Sequence, residues 1–219
     1  MDKPSTVRAL EDLSRERLSK SFFMRDFLYS EISQIEGIPN IPDYPERAIE
    51  AGRKLCEELL EPLQDRFGRI AIRSAYRAPA INAKGAENNR QYSCADNERN
   101  FASHIWDYPD SEGYLGATAC IVVPALLPWY ERYGDWTPLA WWIHDHLPYT
   151  SQFWFPRLAA FNLRWSANPN TRQSIGTNVV NPHTGGNEAL VAEGIASLSR
   201  DERCVLVDRW ISSLSGNQR

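Results

Sequence analysis

Apolar residues return every three or four positions between Glu46 and Phe67, at Ile49, Leu55, Leu59, Leu60 and Leu63, with Glu, Lys and Arg between them. That spacing predicts an amphipathic helix over 46–67, stopped at Gly68 because glycine favours helix ends. Ile70-Ala71-Ile72 then reads as a short buried strand. Gly116 to Pro124 reads as a second strand, built from small and branched residues. Leu139 to Leu147 reads as a helix closed by Pro148, and Phe153 to Trp165 as aromatic strand runs around Pro156. Glu188 to Ser213 reads as two helical segments outside the core. At the other end, residues 1–20 read as a polar helix or a loose tail, and Phe22, Phe23, Phe27 and Leu28 as an aromatic patch docked on the core. Pro39, Pro42 and Pro45 interrupt the chain before the long helix. The pattern predicts an α+β fold, a small, mostly antiparallel sheet flanked by helices. Its organisation is a polar segment over 1–20, a main domain over 21–175 and a C-terminal helical extension over 176–219.

Composition narrows the partners. A chain of 219 residues, 42% hydrophobic and 24% charged, suits one globular unit with a real core. A net charge of −4 offers no general nucleic-acid surface. The longest apolar stretch, Ala117 to Trp129, contains two prolines and is too short to span a bilayer. Residues 1–17 carry acidic side chains and no apolar run of the signal-peptide kind, so the expected location is cytoplasmic, with phage-type or effector export as an alternative. Cys56, Cys94, Cys120 and Cys204 follow no metal or disulfide spacing and are expected as reduced thiols. Most of the eight tryptophans lie between Trp106 and Trp165, either lining a cleft or filling the core.

Chemistry concentrates between Arg73 and Pro124. Arg73-Ser74-Ala75-Tyr76-Arg77-Ala78-Pro79-Ala80-Ile81-Asn82 follows the first strand, Ser103-His104 comes next, and Cys120 sits in the second strand. Leu18-Ser19-Lys20-Ser21-Phe22 with Arg25-Asp26-Phe27, and Leu59-Leu60-Glu61-Pro62-Leu63 with Phe67-Gly68, precede them. In this order the motifs resemble peptidase family M15, the D-alanyl-D-alanine carboxypeptidases, over about two-thirds of the chain. The resemblance implies a Hedgehog/DD-peptidase-like fold for the main domain. It also implies a zinc ion, held in that family by two histidines and an aspartate with a glutamate activating water. His104 matches the first histidine, and Arg77 matches the arginine that binds the polarised carbonyl or the substrate carboxylate. The chain departs from the pattern at two ligands and the base. Cys120 stands in the aspartate position after an insertion over 105–115, Ser166 stands where the second histidine would fall, and no glutamate precedes it.

Read for their own chemistry, the candidates divide. Zinc takes about four donors; His104 supplies one, and Cys120 supplies another as a thiolate or else stays an inert buried thiol. A third possibility pairs Cys120 with His104 as nucleophile and base, without a metal. Asp107, three residues after His104, is a further carboxylate donor or a solvated loop residue. His144 and His146 flank Asp145 at a spacing that turns the two imidazoles apart; one of them could join His104, or both could meet the negative end of a helix. His183 falls in a turn and is expected to face solvent. Arg77 offers a bidentate fork for a carboxylate, with Tyr76 and Asn82 supporting its loop or touching substrate. No GxSxG elbow, GxGxxG string or P-loop is present. The leading function is a zinc peptidase-like hydrolase acting on a small peptide or amide. The alternatives are an inactive relative that uses the cleft to bind a ligand or protein, and a redirected enzyme on an amino-acid-like substrate.

Overall fold

The computed structural model describes residues 1–87, 92 and 94–216. Its centre is a seven-stranded sheet in the order β1–β2–β4–β3–β5–β6–β7. The strands are β1 (Ala71–Ser74), β2 (Gly116–Val122), β3 (Ser151–Trp154), β4 (Phe161–Ser166), β5 (Ser174–Thr177), β6 (Val191–Ala192) and β7 (Ile195–Ala196). All pairs are antiparallel except β3 with β5, which makes the sheet mostly antiparallel. The described helices are α1 (Val7–Arg15), α2 (Glu31–Glu36), α3 (Pro45–Leu55), α4 (Glu61–Phe67), α5 (Pro79–Ala86), α6 (Asn97–Asn100), α7 (Leu127–Tyr133), α8 (Thr137–His146) and α9 (Arg200–Gly216).

The helix predicted over 46–67 is present as a continuous rod, α3 and α4 joined by a π turn at Cys56–Leu60. Pro62 accounts for that turn: it lacks an N–H and its ring collides with the carbonyl four residues back, so the preceding turn widens. The rod crosses β2 and β4. Leu55, Leu59 and Leu63 bury their side chains with Ala119, Ile121, Phe161 and Leu163 in one core. Trp106, Trp136, Trp141 and Trp154 are wholly buried in it, so the tryptophans build core rather than a cleft wall.

Three expectations change. The strand near residue 71 is a half-exposed sheet edge, because β1 has only one neighbour. Residues 188–213 do not form two helices: β6 and β7 make a short hairpin there, followed by the single helix α9. The boundary drawn at 175 falls inside β5, which pairs with β3, so the C-terminal region extends the same sheet. Of the two readings of residues 1–20, the polar helix is present as α1, and the segment rests on the body with Leu13 and Leu18 buried.

Side chains alternate across a strand, and this gives the second sheet face its chemistry. Register aligns Ser74, Cys120, Asn162, Phe153 and Gly176 in one row across β1, β2, β4, β3 and β5.

Candidate functional site

The loop after β1 is held by a buried asparagine that sequence reasoning passed over as part of a proline break. Asn40 donates from Nδ2 to the carbonyls of Leu28 at 3.0 Å and Tyr76 at 2.9 Å, and its Oδ1 accepts from the Ala78 N–H at 2.7 Å. Tyr76 is buried and donates its hydroxyl to Asp107 Oδ1 at 3.0 Å. Asp107 Oδ2 accepts from the backbone N–H groups of Asp43 at 2.7 Å and Tyr44 at 3.1 Å. Asp107 is therefore neither a metal donor nor a solvated loop residue. It is a fully buried carboxylate that fastens the segment before α3 to the Tyr76 loop. Burial raises its pKa, and these hydrogen bonds pull the other way.

Arg77 is fixed at both ends. Its backbone N–H donates to the His104 carbonyl at 2.8 Å, and its Nη1 lies 3.4 Å from Asn82 Oδ1 and 3.4 Å from Cys94 Sγ. Asn82 in turn donates to the Ala95 carbonyl and to Asn97 Oδ1, each at 3.0 Å. Asn82 thus supports the loop instead of reaching a ligand.

His104 sits beside this loop, buried, with Nδ1 2.8 Å from the Ala75 carbonyl. A carbonyl only accepts, so Nδ1 carries the proton and Nε2 does not. Burial and then the positive charge of Arg77 pull its pKa down to about 3; the Ala75 bond opposes them and the Arg164 charge adds a little. The imidazole is neutral across the physiological range. Its turn is pressed onto the sheet at Gly116, where a Cβ would stand 2.3 Å from the Ala102 carbonyl oxygen. Arg164 Nε donates to that same oxygen at 3.0 Å.

Arg73 enters through a β-bulge. Between Ile72, opposite Ile121, and Ser74, opposite Cys120, β1 holds one residue more than β2, and that residue is Arg73. Such a bulge re-aims side chains; here Arg73 and Ser74 line the same cavity of about 270 Å³. Arg77, Cys120 and Asn162 form other parts of its wall, Glu31 from the first turn of α2 lines it too, and Phe155 closes one side. A second cavity of about 200 Å³ shares Glu31, Ser74 and Arg77. Arg73 and Glu31 are exposed and have no hydrogen-bond or ion-pair partner among the described residues. Burial raises the Cys120 pKa, while Arg73 and Arg77 hold it back.

Of the residues singled out in the sequence, Arg77 and Cys120 share a cavity, and Tyr76, Asn82 and His104 surround the same loop. His104 and Cys120 share no hydrogen bond, so the nucleophile–base pair is not assembled. Ser166 lies at the end of β4, where its Oγ accepts from the Asn168 N–H at 3.1 Å. His144 and His146 are on α8, bonded to the Tyr149 hydroxyl and the Trp142 carbonyl, each at 2.8 Å. His183 does not simply face solvent: its Nε2 lies 3.0 Å from the buried Asp135 carboxylate. Among the described residues no three of His, Cys, Asp and Glu stand together in a metal-holding arrangement. The donor set does not fit zinc, because Asp107 is committed elsewhere and Cys120 shares its cavity with two arginines and only one carboxylate, Glu31. Comparisons with protein-family models, curated proteins and solved structures return no match to this chain. No described helix is long and apolar enough to cross a membrane.

Proposed function

We propose that this protein binds a small amino-acid-like ligand in the cleft between α2, β1 and the β3–β4 turn. Arg73 and Arg77 take its carboxylate, Glu31 takes its ammonium, and Ser74 and Asn162 offer neutral hydrogen bonds. One observation carries this reading: two guanidinium groups and a carboxylate line one cavity, and neither Arg73 nor Glu31 is neutralised by a described neighbour. A planar guanidinium matches a carboxylate with two parallel bonds.

The motif order over residues 18–165 supports descent from the M15 fold, the Hedgehog/DD-peptidase type, with the catalytic ligands exchanged. In such a relative the arginine keeps its carboxylate-binding role while the metal chemistry is lost. Cys120 serves as a protonated wall residue in this reading, consistent with its raised pKa.

Calorimetric titration with L- and D-amino acids tests the proposal. Binding to the intact protein should weaken by about tenfold or more in Arg77→Met, the worth of a charge-assisted hydrogen bond. Equal binding by both proteins, or a stoichiometric zinc ion lost with His104→Ala, would favour the hydrolase reading instead.

A further inference from the structure

We infer that the cleft selects ligands with a large apolar side chain, and that Phe155, with Phe153 beside it, is the specificity-determining wall. This rests on the carboxylate-recognition reading above and adds the class of side chain.

The cavity has two chemically distinct sides. Its charged groups, Arg73, Arg77 and Glu31, suit the parts common to every α-amino acid. Its other side is apolar. Cys120, Val122 and Ala160 form a small hydrophobic cluster separate from the main core, with Leu127 and Phe155 packed against it. Phe153 stands next to this side, outside the cavity lining itself: it lies in the same cross-sheet row as Cys120, its ring stands edge-on to Phe155 at 5.3 Å, and it remains 39% exposed. Gly176 makes room for that ring, since a Cβ there would come within 3.1 Å of it.

The turn carrying Phe155 is held in an unfavourable shape. Leu158 (φ 60) and Ala159 (φ 46) both occupy the left-handed region without being glycine. Such strain persists only where surrounding contacts over-determine it, and it collects at ligand-binding elements. Here the Phe155 N–H donates to the Ala160 carbonyl at 2.8 Å, and the Tyr130 hydroxyl donates to the Pro156 carbonyl at 2.7 Å. Leu158 stays 47% exposed on the same turn. With the charged groups engaging the ligand's main chain, its side chain meets Phe155.

The test is calorimetric titration of the intact protein with L-phenylalanine, L-leucine and glycine, repeated with Phe155→Ala and Phe153→Ser. Burying an apolar side chain against this wall should make phenylalanine and leucine bind about tenfold or more tighter than glycine. Both substitutions should reduce that preference. Phe153 is exposed, so its variant keeps the test informative if Phe155→Ala fails to fold. Glycine binding as tightly as phenylalanine to the intact protein, or a preference that survives both substitutions, overturns this inference alone. No binding of any of the three overturns the carboxylate-recognition reading with it.

Discussion

Two regions of this molecule carry the residue types from which active sites are made, and they use them in opposite ways. At the end of α8, His144-Asp145-His146 brings two imidazoles and a carboxylate together, and each has a partner. Arg203 of α9 grips Asp145, with Nε 3.1 and 3.0 Å from its two oxygens, donates to the Leu198 carbonyl at 2.8 Å and lies over the Trp141 ring. His146 stacks on Trp142 at 4.7 Å, and His144 bonds Tyr149. This is an interface within the fold, fastening the last helix to the body. At the β1 edge, by contrast, Arg73 and Glu31 face a cavity with no described partner. The difference lies in hydrogen-bonding capacity left open, not in residue type. A histidine cluster draws the eye in a sequence, yet an unpaired arginine beside a cavity is the stronger sign of a ligand.

The sharpest way to break this comparison is at Asp107, a buried carboxylate that fastens the loop leading into the candidate site. Asp107→Ala orphans the buried Tyr76 hydroxyl and two part-buried backbone N–H groups, and should cost about 5 kcal/mol at 1–3 kcal/mol for each donor left unpaired. Chemical denaturation measures it; a loss under 1 kcal/mol would return Asp107 to the pool of free ligands. Next comes His104. Its folded pKa of about 3 lies below the ordinary 6.5, so the unfolded chain binds the extra proton between those values. Stability from this group is complete above pH 6.5 and is lost as pH falls toward 3 and below, by about 5 kcal/mol in all. His104→Gln should flatten that part of the pH–stability curve, and an unchanged slope would contradict its burial as a neutral ring.

A smaller effect is expected on the fastened side. Asp145→Ala breaks a largely buried ion pair and should destabilise by about 3 kcal/mol, loosening α9 while leaving ligand affinity untouched. Hydrogen exchange along 200–214 would report that loosening. Altered ligand affinity in this variant would join the two regions that the comparison separates.

Much of the scaffold was legible because periodicity reports it directly. The helical repeat from Ile49 to Leu63 and the small-residue run at 116–122 both appear where the spacing puts them. Arg77 and Cys120 were legible as neighbours through motif order, and the cavity joins them. Arg73's role was not, since a bulge depends on the register between β1 and β2, which no single strand records. Glu31 comes from a short helix far along the chain, and nothing local marks it as a site residue. Asp107 misled because a loop rich in Asp, Pro and Ser reads as solvated, whereas tertiary donors from residues 43, 44 and 76 bury it. The β6–β7 hairpin was invisible because two-residue strands are too short to show a period.

The most direct test falls on Arg73, which is exposed and makes no described contact that folding requires. Titration of L-leucine into the intact protein and into Arg73→Met should show affinity weakened about tenfold, with the unfolding midpoint unmoved. Equal affinity in the two proteins, or no heat of binding in either, would contradict the assignment of this cleft to a carboxylate-bearing ligand.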